Sequence, residues 1–212
     1  MRRLRLVAAL LTIALPAAAQ KPSEEFWPEL DVYWTPAEHQ RTYLELSRST
    51  ERDGPKDEGN IGLYQDYLDL PLGYLRAGYR FTFSTQNASY RESRIVLEGV
   101  AATYSYRRLR LVNRARLELR WVNGVYSYRV RDRLHLQRVS LSQKGLALAP
   151  YITFEAYYDS RYNTIDRLAG RVGSEARLGR RSAIDVYIAR QNNTRSQPKY
   201  VNALGVTVKL TY

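Results

Sequence analysis

Residue types that do covalent chemistry are scarce in this sequence. It has two histidines, His39 and His135, and no cysteine. By strand alternation His135 shares a face with Arg133, Arg131, Arg129 and Ser127. A hydrolytic triad needs a nucleophile, a base and an orienting acid within hydrogen-bond reach. His135 with Glu155 would supply the last two, but no serine is well placed beside them and no Gly-x-Ser-x-Gly occurs. A lone inward histidine is more often a hydrogen-bonded filler, so no catalytic residue is assigned and no enzyme is expected. His39 falls in a turn. With no His-x-x-x-His and no cysteine, no metal site is expected; Asp53, Asp57 and Glu58 read as a solvated acidic loop rather than a calcium site. Phosphate-cradling glycine loops are absent, and no cofactor is expected.

The spacing that does carry information is that of arginine. From Leu109 to Trp121, Leu109, Leu111, Asn113, Ala115, Leu117, Leu119 and Trp121 alternate with Arg110, Val112, Arg114, Arg116, Glu118 and Arg120. A strand sends alternate side chains to opposite faces, so one face is apolar and the other charged. Asn123-Gly124 follows, a strong signal for a two-residue hairpin turn. Beyond it Tyr126, Tyr128, Val130, Leu134 and Leu136 alternate with Ser127, Arg129, Arg131, Arg133, His135 and Gln137. The turn pairs Val122 with Val125, and counting outward places Trp121 opposite Tyr126, Glu118 opposite Arg129, Arg116 opposite Arg131 and Arg114 opposite Arg133. Like charges directly opposite are destabilising, so carboxylates must come from elsewhere on that face. Glu98, Glu155 and Glu175 point the same way by alternation. The expected charge network is therefore Arg110, Arg114, Arg116, Glu118, Arg120, Arg129, Arg131, Arg133 and His135, with Glu98, Glu155 and Glu175.

Asn113 and Asp132 fall on the apolar face near mid-strand. A β-bulge at either residue is one way to re-aim it.

The same alternation recurs at Leu75–Ser84, Ile152–Asp159, Arg167–Leu178 and Ile184–Ile188. Shorter candidates are Glu29–Trp34, Arg41–Ser49, Asn60–Leu70 and Arg94–Tyr104, and the final strand is Asn202–Tyr212. Turn chemistry separates them at Asp53-Gly54-Pro55, Asp69-Leu70-Pro71-Leu72-Gly73, Gly179-Arg180-Arg181 and Asn192–Pro198. These are eleven candidates, and no segment reads as a helix.

At the start of the chain, Arg2, Arg3 and Arg5 precede an apolar run from Leu6 to Leu15 and an Ala17-Ala18-Ala19 end. That is the pattern of a secretory signal peptide, and the run is too short to span a bilayer as a helix. Residues 1–19 are expected to be removed, leaving 20–212 as one domain. Losing three arginines lowers the formal net charge of +12 to +9. Export argues against a nucleic-acid partner for that charge.

Three features favour a transmembrane barrel over a soluble one. The strands run to about 10–13 residues, matching the 9–11 of a tilted membrane strand. Tyrosine is abundant, 18 of 212 residues, and Tyr104, Tyr106, Trp121, Tyr126, Tyr158, Tyr162 and Tyr200 sit near strand ends, where membrane barrels place aromatic girdles. The last strand alternates Leu204, Val206, Val208, Leu210 and Tyr212 and stops on the aromatic residue. It resembles the recognition signal of outer-membrane barrel proteins, which implies the barrel-assembly machinery as a partner during insertion. The expected fold is all-β: an antiparallel up-and-down transmembrane β-barrel. Single-chain bacterial barrels have even strand numbers and periplasmic termini, so about twelve strands are expected, with ten next; either one more strand lies among residues 20–40 or an N-terminal candidate is not part of the wall.

The segment Pro150-Tyr151-Ile152-Thr153-Phe154-Glu155-Ala156-Tyr157-Tyr158-Asp159-Ser160-Arg161, the early Trp27-Pro28-Glu29-Leu30 and the Arg110–Arg138 hairpin resemble the bacterial domain of unknown function family 2490. The resemblance covers most of the chain beyond residue 19. It implies an outer-membrane β-barrel and no transferable activity.

Three functional expectations follow. The first is a structural or surface-interaction barrel with a charge-filled lumen. Its partners would be outer-membrane lipids, including lipopolysaccharide phosphates met by Arg52, Lys56, Arg195 and Lys199. The second is a small anion-favouring pore, because rings of arginine or lysine favour anions. The third and weakest is a lipid-modifying hydrolase.

Overall fold

A computed structural model describes residues 21–71, 73–87, 89–106, 108–138, 141–143 and 146–212, with side chains throughout except at 102–105 and 141–146. The expected signal peptide lies outside the described residues.

The alternating segments all form strands, most of them longer than the pattern alone marked. They are β1 (Ser23–Ala37), β2 (Gln40–Glu51), β3 (Asp57–Leu70), β4 (Gly73–Ser84), β5 (Arg91–Tyr106), β6 (Leu109–Val122) and β7 (Val125–Arg138). Then come the short β8 (Leu141–Gln143), β9 (Leu146–Asp159), β10 (Thr164–Arg177), β11 (Ser182–Asn193) and β12 (Tyr200–Thr211). Every consecutive wall strand pairs antiparallel with the next, β7 passing directly to β9. The wall closes where β1 runs parallel to β12, from Ser23 opposite Val201 to Tyr33 opposite Thr211. β8 pairs only with β9 and stands outside the ring.

The wall thus has eleven strands, not twelve. An even number is required only when every neighbouring pair is antiparallel. One parallel seam satisfies the backbone of an odd ring equally well, because parallel ladders also pair each N–H and C=O. Among the described residues, 21–39 hold the single strand β1 rather than two. Parity then separates the ends of the wall. β1 begins at one rim, among the β2–β3, β4–β5, β6–β7, β9–β10 and β11–β12 connections. β12 ends at the other.

The β6–β7 hairpin has the register counted from its turn: Val122 faces Val125, Trp121 Tyr126, Glu118 Arg129, Arg116 Arg131 and Arg114 Arg133. Asn123 (φ 49°) and Gly124 (φ 84°) both take the left-handed region that a type I′ turn requires.

Burial is inverted relative to a soluble domain. Among the described residues, twenty-five buried side chains are polar or charged and ten are apolar, whereas thirty large apolar or aromatic side chains are exposed. The exposed set includes Ile61, Leu63, Leu75, Leu97, Leu168, Val172, Ile188 and Leu204 along the wall. Aromatic side chains cap this band: Phe26, Tyr126, Tyr128 and Tyr162 at the rim where β1 begins, and Trp34, Tyr67, Tyr106 and Tyr212 at the other. Tyrosine also serves inside. Tyr33, Tyr43 and Tyr64 stack in the lumen at 4.7 and 5.1 Å between ring centroids. Tyr151 and Tyr187 pack there with Trp27. Abundance alone did not separate the girdle tyrosines from these. The side chain of Tyr104 lies outside the described residues.

No bulge re-aims Asn113 or Asp132, since β6 and β7 pair without a register shift. Instead the Asn113 amide donates to the Asp132 carboxylate at 2.7 Å on the outer face. Each polar group satisfies the other where no inward partner is in reach.

Candidate functional site

The inward positions of β4 to β9 build a continuous charge network. Glu118, 1% exposed, lies at its centre, within 3.6–3.9 Å of Arg94, Arg116, Arg129 and Arg131. Towards the rim where β1 begins, Arg120 bridges Glu92 and Asp159, the latter at 2.9 Å. Asp159 also accepts from Arg129 and Arg161 at 2.9 and 2.8 Å. That hydrogen bond holds the Arg161 guanidinium, in the loop beyond β9, above its ordinary range. Deeper in, Arg116 donates to Glu98 at 2.5 Å, while Arg131 and Arg133 both donate to one oxygen of Glu155 at 2.5 and 2.6 Å. On β2–β4, Arg41 and Arg76 converge on Asp66. Guanidinium groups suit this role because a planar fork addresses several carboxylate oxygens at once.

The residues expected to form the network all point inward. Arg116, Glu118, Arg129, Arg131, Glu98 and Glu155 are buried and paired with one another, whereas the buried Arg120 pairs with Glu92 and Asp159. Glu175 stands apart, accepting from Lys209 at 2.7 Å. Arg110 lies opposite Gln137 near the other rim, and Arg114 reaches Glu98 only at 3.6 Å. The sequence reading did not assign Asp66, Arg76, Glu92, Arg94, Asp159 or Arg171 to the network. Alternation carried the signal for all of them. Glu92 was lost because its strand starts earlier than the apolar pattern shows.

His135 does not assemble with Glu155. Its Nδ1 lies 3.0 Å from the Thr153 hydroxyl and its ring packs on Tyr151. The Glu155 carboxylate is taken by Arg131, Arg133 and the Tyr157 hydroxyl. Ser127 is eight residues from His135 on β7, about 27 Å along an extended strand. Nucleophile, base and acid are not brought together. In the acidic loop, Asp57 is bound by Arg48 and Thr85, and no cluster of metal-ligating side chains forms among the described residues.

Beside the network runs an open cavity of about 560 Å³. Its wall reaches from Lys56 and Ser49 near one rim to Arg41, Arg110, Gln137 and Lys209 near the other. Fifteen lysine and arginine side chains line it against seven aspartates and glutamates. The carboxylates that balance the network, such as Glu98, Glu155 and Asp159, are buried behind their guanidinium partners, so the cavity meets the cations.

These features define a closed, mostly antiparallel eleven-stranded β-barrel with an apolar outer surface and a charged interior. The family described as "Protein of unknown function (DUF2490)" matches residues 60–202, about two thirds of the chain, and the chain belongs to it. No curated protein and no solved structure matches the chain.

Proposed function

We propose that this protein is an exported outer-membrane barrel whose cation-lined lumen is a narrow, anion-favouring passage. The observation that carries the membrane reading is the inverted burial, with thirty large apolar or aromatic side chains outside and twenty-five buried polar ones inside among the described residues. Soluble monomers rarely expose contiguous apolar patches above a few hundred Å². A bilayer removes that cost, and aromatic side chains at both rims match its interfaces. The β12 outer row of Leu204, Val206, Val208, Leu210 and Tyr212 supports recognition by the barrel-assembly machinery. The passage reading is supported by a cavity lined by residues from near one rim to near the other, with cations in excess, since cationic linings raise local anion concentration.

The test is conductance of the refolded chain in planar bilayers under a salt gradient, with folding established by heat-modifiable gel mobility. Discrete steps with an anion-favouring reversal potential are the expected result; a folded protein that never conducts overturns the passage. Sidedness tests the membrane reading separately. An epitope inserted after Lys21 is expected to stain on intact cells, and one after Tyr212 only after permeabilisation, because the parallel seam sends the two ends of the wall to opposite faces. Both on one side would exclude an eleven-stranded membrane wall.

A second reading concerns the rim opposite the C-terminus, which carries Arg52, Lys56, Arg195 and Lys199. Lys56 is drawn onto Glu25 at 2.9 Å and Arg52 onto Glu24 at 3.3 Å, whereas Arg195 and Lys199 are exposed. The latter two are the better contacts for anionic lipid headgroups.

A further inference from the structure

The cations of the lumen are not equally neutralised. Arg114 and Arg133 lie directly opposite each other on β6 and β7. Glu155 faces Arg133 from β9, and Arg171 of β10 projects from the adjoining row, opposite Thr153. All three arginines line the open cavity. Glu155 binds Arg131 and Arg133 through one oxygen and the Tyr157 hydroxyl through the other. Glu98 is held by Arg116 through Oε2, while its Oε1 has no hydrogen-bond partner. Arg114 and Arg171 reach the carboxylates of Glu98 and Glu155 only at 3.6 and 3.9 Å, beyond hydrogen-bonding distance. The Nε of Arg171 is buried with no hydrogen-bond partner at all. Its guanidinium instead lies over aromatic faces, 5.1 Å from the Tyr187 ring centroid and 5.9 Å from that of Trp27. Such packing fixes its orientation without consuming its N–H donors.

We propose that Arg114, Arg133 and Arg171 form a binding site for a small multivalent oxyanion of the phosphate class within the lumen. A tetrahedral dianion offers several acceptor oxygens, and planar guanidinium forks address pairs of them, which a monovalent spherical ion cannot exploit. Buried donors without acceptors cost free energy, so a ligand that satisfies them gains more than one that merely screens charge. Thr153 and His135 border the site and add neutral hydrogen-bonding groups. The inference deepens the passage reading by naming the ion class, but the site requires only access from one rim.

The test uses the refolded full chain in lipid vesicles. Binding of inorganic phosphate is measured by calorimetry at constant ionic strength with chloride as the balancing salt, and chloride conductance is recorded as phosphate is added. Saturable phosphate binding is expected, with conductance falling over the same concentration range. Arg171→Gln and, independently, Arg114→Gln should each weaken phosphate binding about tenfold or more, the loss of one or two charge-assisted hydrogen bonds. Arg167→Gln, whose side chain donates to Asn193 elsewhere in the lumen, should leave it unchanged. Two independent variants keep the test open if one fails to fold. Chloride conductance without saturable phosphate binding, or binding that neither variant alters, overturns the site while leaving the passage intact. Phosphate binding in a barrel that never conducts supports the site and overturns the passage.

Discussion

The interior of this barrel is filled in two different ways. Along the arc from β4 to β9, carboxylates are shared among guanidinium groups: Glu118 among four arginines, Asp159 among three, Glu155 among Arg131, Arg133 and the more distant Arg171. Along the arc from β11 round to β3, tyrosine rings occupy the same depth. Tyr33, Tyr43 and Tyr64 stack, and the hydroxyls of Tyr43 and Tyr64 donate to Asp31 at 2.8 Å and Glu45 at 3.0 Å. Both devices put polar groups inside a narrow wall, where side chains fill the space. They differ in what the loss of one member does. A shared carboxylate neutralises several cations, so its removal leaves all of them buried and in mutual repulsion. A tyrosine hydroxyl serves one or two acceptors, and its ring remains when it is removed.

The contrast is sharpest at Glu118. Replacing it with alanine leaves Arg94, Arg116, Arg129 and Arg131 without their common counter-charge. Breaking a buried ion pair from one side costs about 3–5 kcal/mol. The expected outcome for Glu118→Ala is a loss of that order in urea titrations read by unboiled gel mobility. A loss below about 1 kcal/mol would show that water screens the network and that the two arcs do not differ in kind.

The tyrosine arc is expected to fail through shape before it fails through charge. Tyr187 lies across Gly205 so closely that a Cβ built there falls 2.1 Å from the ring. Gly205→Val must push the ring off the wall, and overpacking of this kind costs about 1–3 kcal/mol. Gly205→Val combined with Tyr187→Ala should recover part of the loss. No recovery would place the strain in the backbone instead.

These two arcs were not equally legible in the sequence. Arginine alternating with leucine on β6 and β7 announces both the strand and the inward face. The Asn123-Gly124 turn then fixes the register, because two residues in the left-handed region leave only one way to pair the flanks. Tyrosine carries no such sign. Tyr128 on the outer face and Tyr157 on the inner one are the same residue type, and only parity along the whole strand separates them. The odd strand count was visible as eleven alternating segments. The rule of even numbers opposes it only for an all-antiparallel ring, and a parallel seam between β1 and β12 has no local signature. The partners of Arg41 and Arg76 were hidden for a different reason. Asp66 lies 25 and 10 residues away from them, and strand pairing rather than spacing brings it in.

A smaller effect separates hydroxyl from ring in the tyrosine arc. Tyr43→Phe keeps the stack between Tyr33 and Tyr64 and removes only the hydroxyl that donates to Asp31 at 2.8 Å and to Glu45 at 3.5 Å. One hydrogen bond to a carboxylate contributes about 1.5–3 kcal/mol when its partner is left unsatisfied. Tyr33 lies 3.2 Å from the same carboxylate and limits the damage. A loss near 1 kcal/mol in the urea titration is the expected outcome, well below that for Glu118→Ala. Equal losses would erase the distinction between the arcs.

The smallest effect is expected at the polar pair that belongs to neither arc. Asn113 and Asp132 face outward, bonded to each other, with Ala115 opposite Asp132 and Leu134 opposite Asn113. If this surface meets lipid chains, the pair is tolerated rather than required, because a carboxylate on the lipid face of a barrel wall destabilises in proportion to its depth. Replacing both together, Asn113→Leu with Asp132→Leu, is then expected to raise stability slightly, by about 1 kcal/mol or less. Asn113→Leu alone, which strips Asp132 of its donor, should lower it by a similar amount. Opposite signs for the double and single variants, in the same vesicles and by the same urea titration, would identify a lipid-facing wall. A double variant that loses stability would instead mean that a polar partner covers this face, and the contrast between a charged inside and an apolar outside would no longer hold at that point of the barrel.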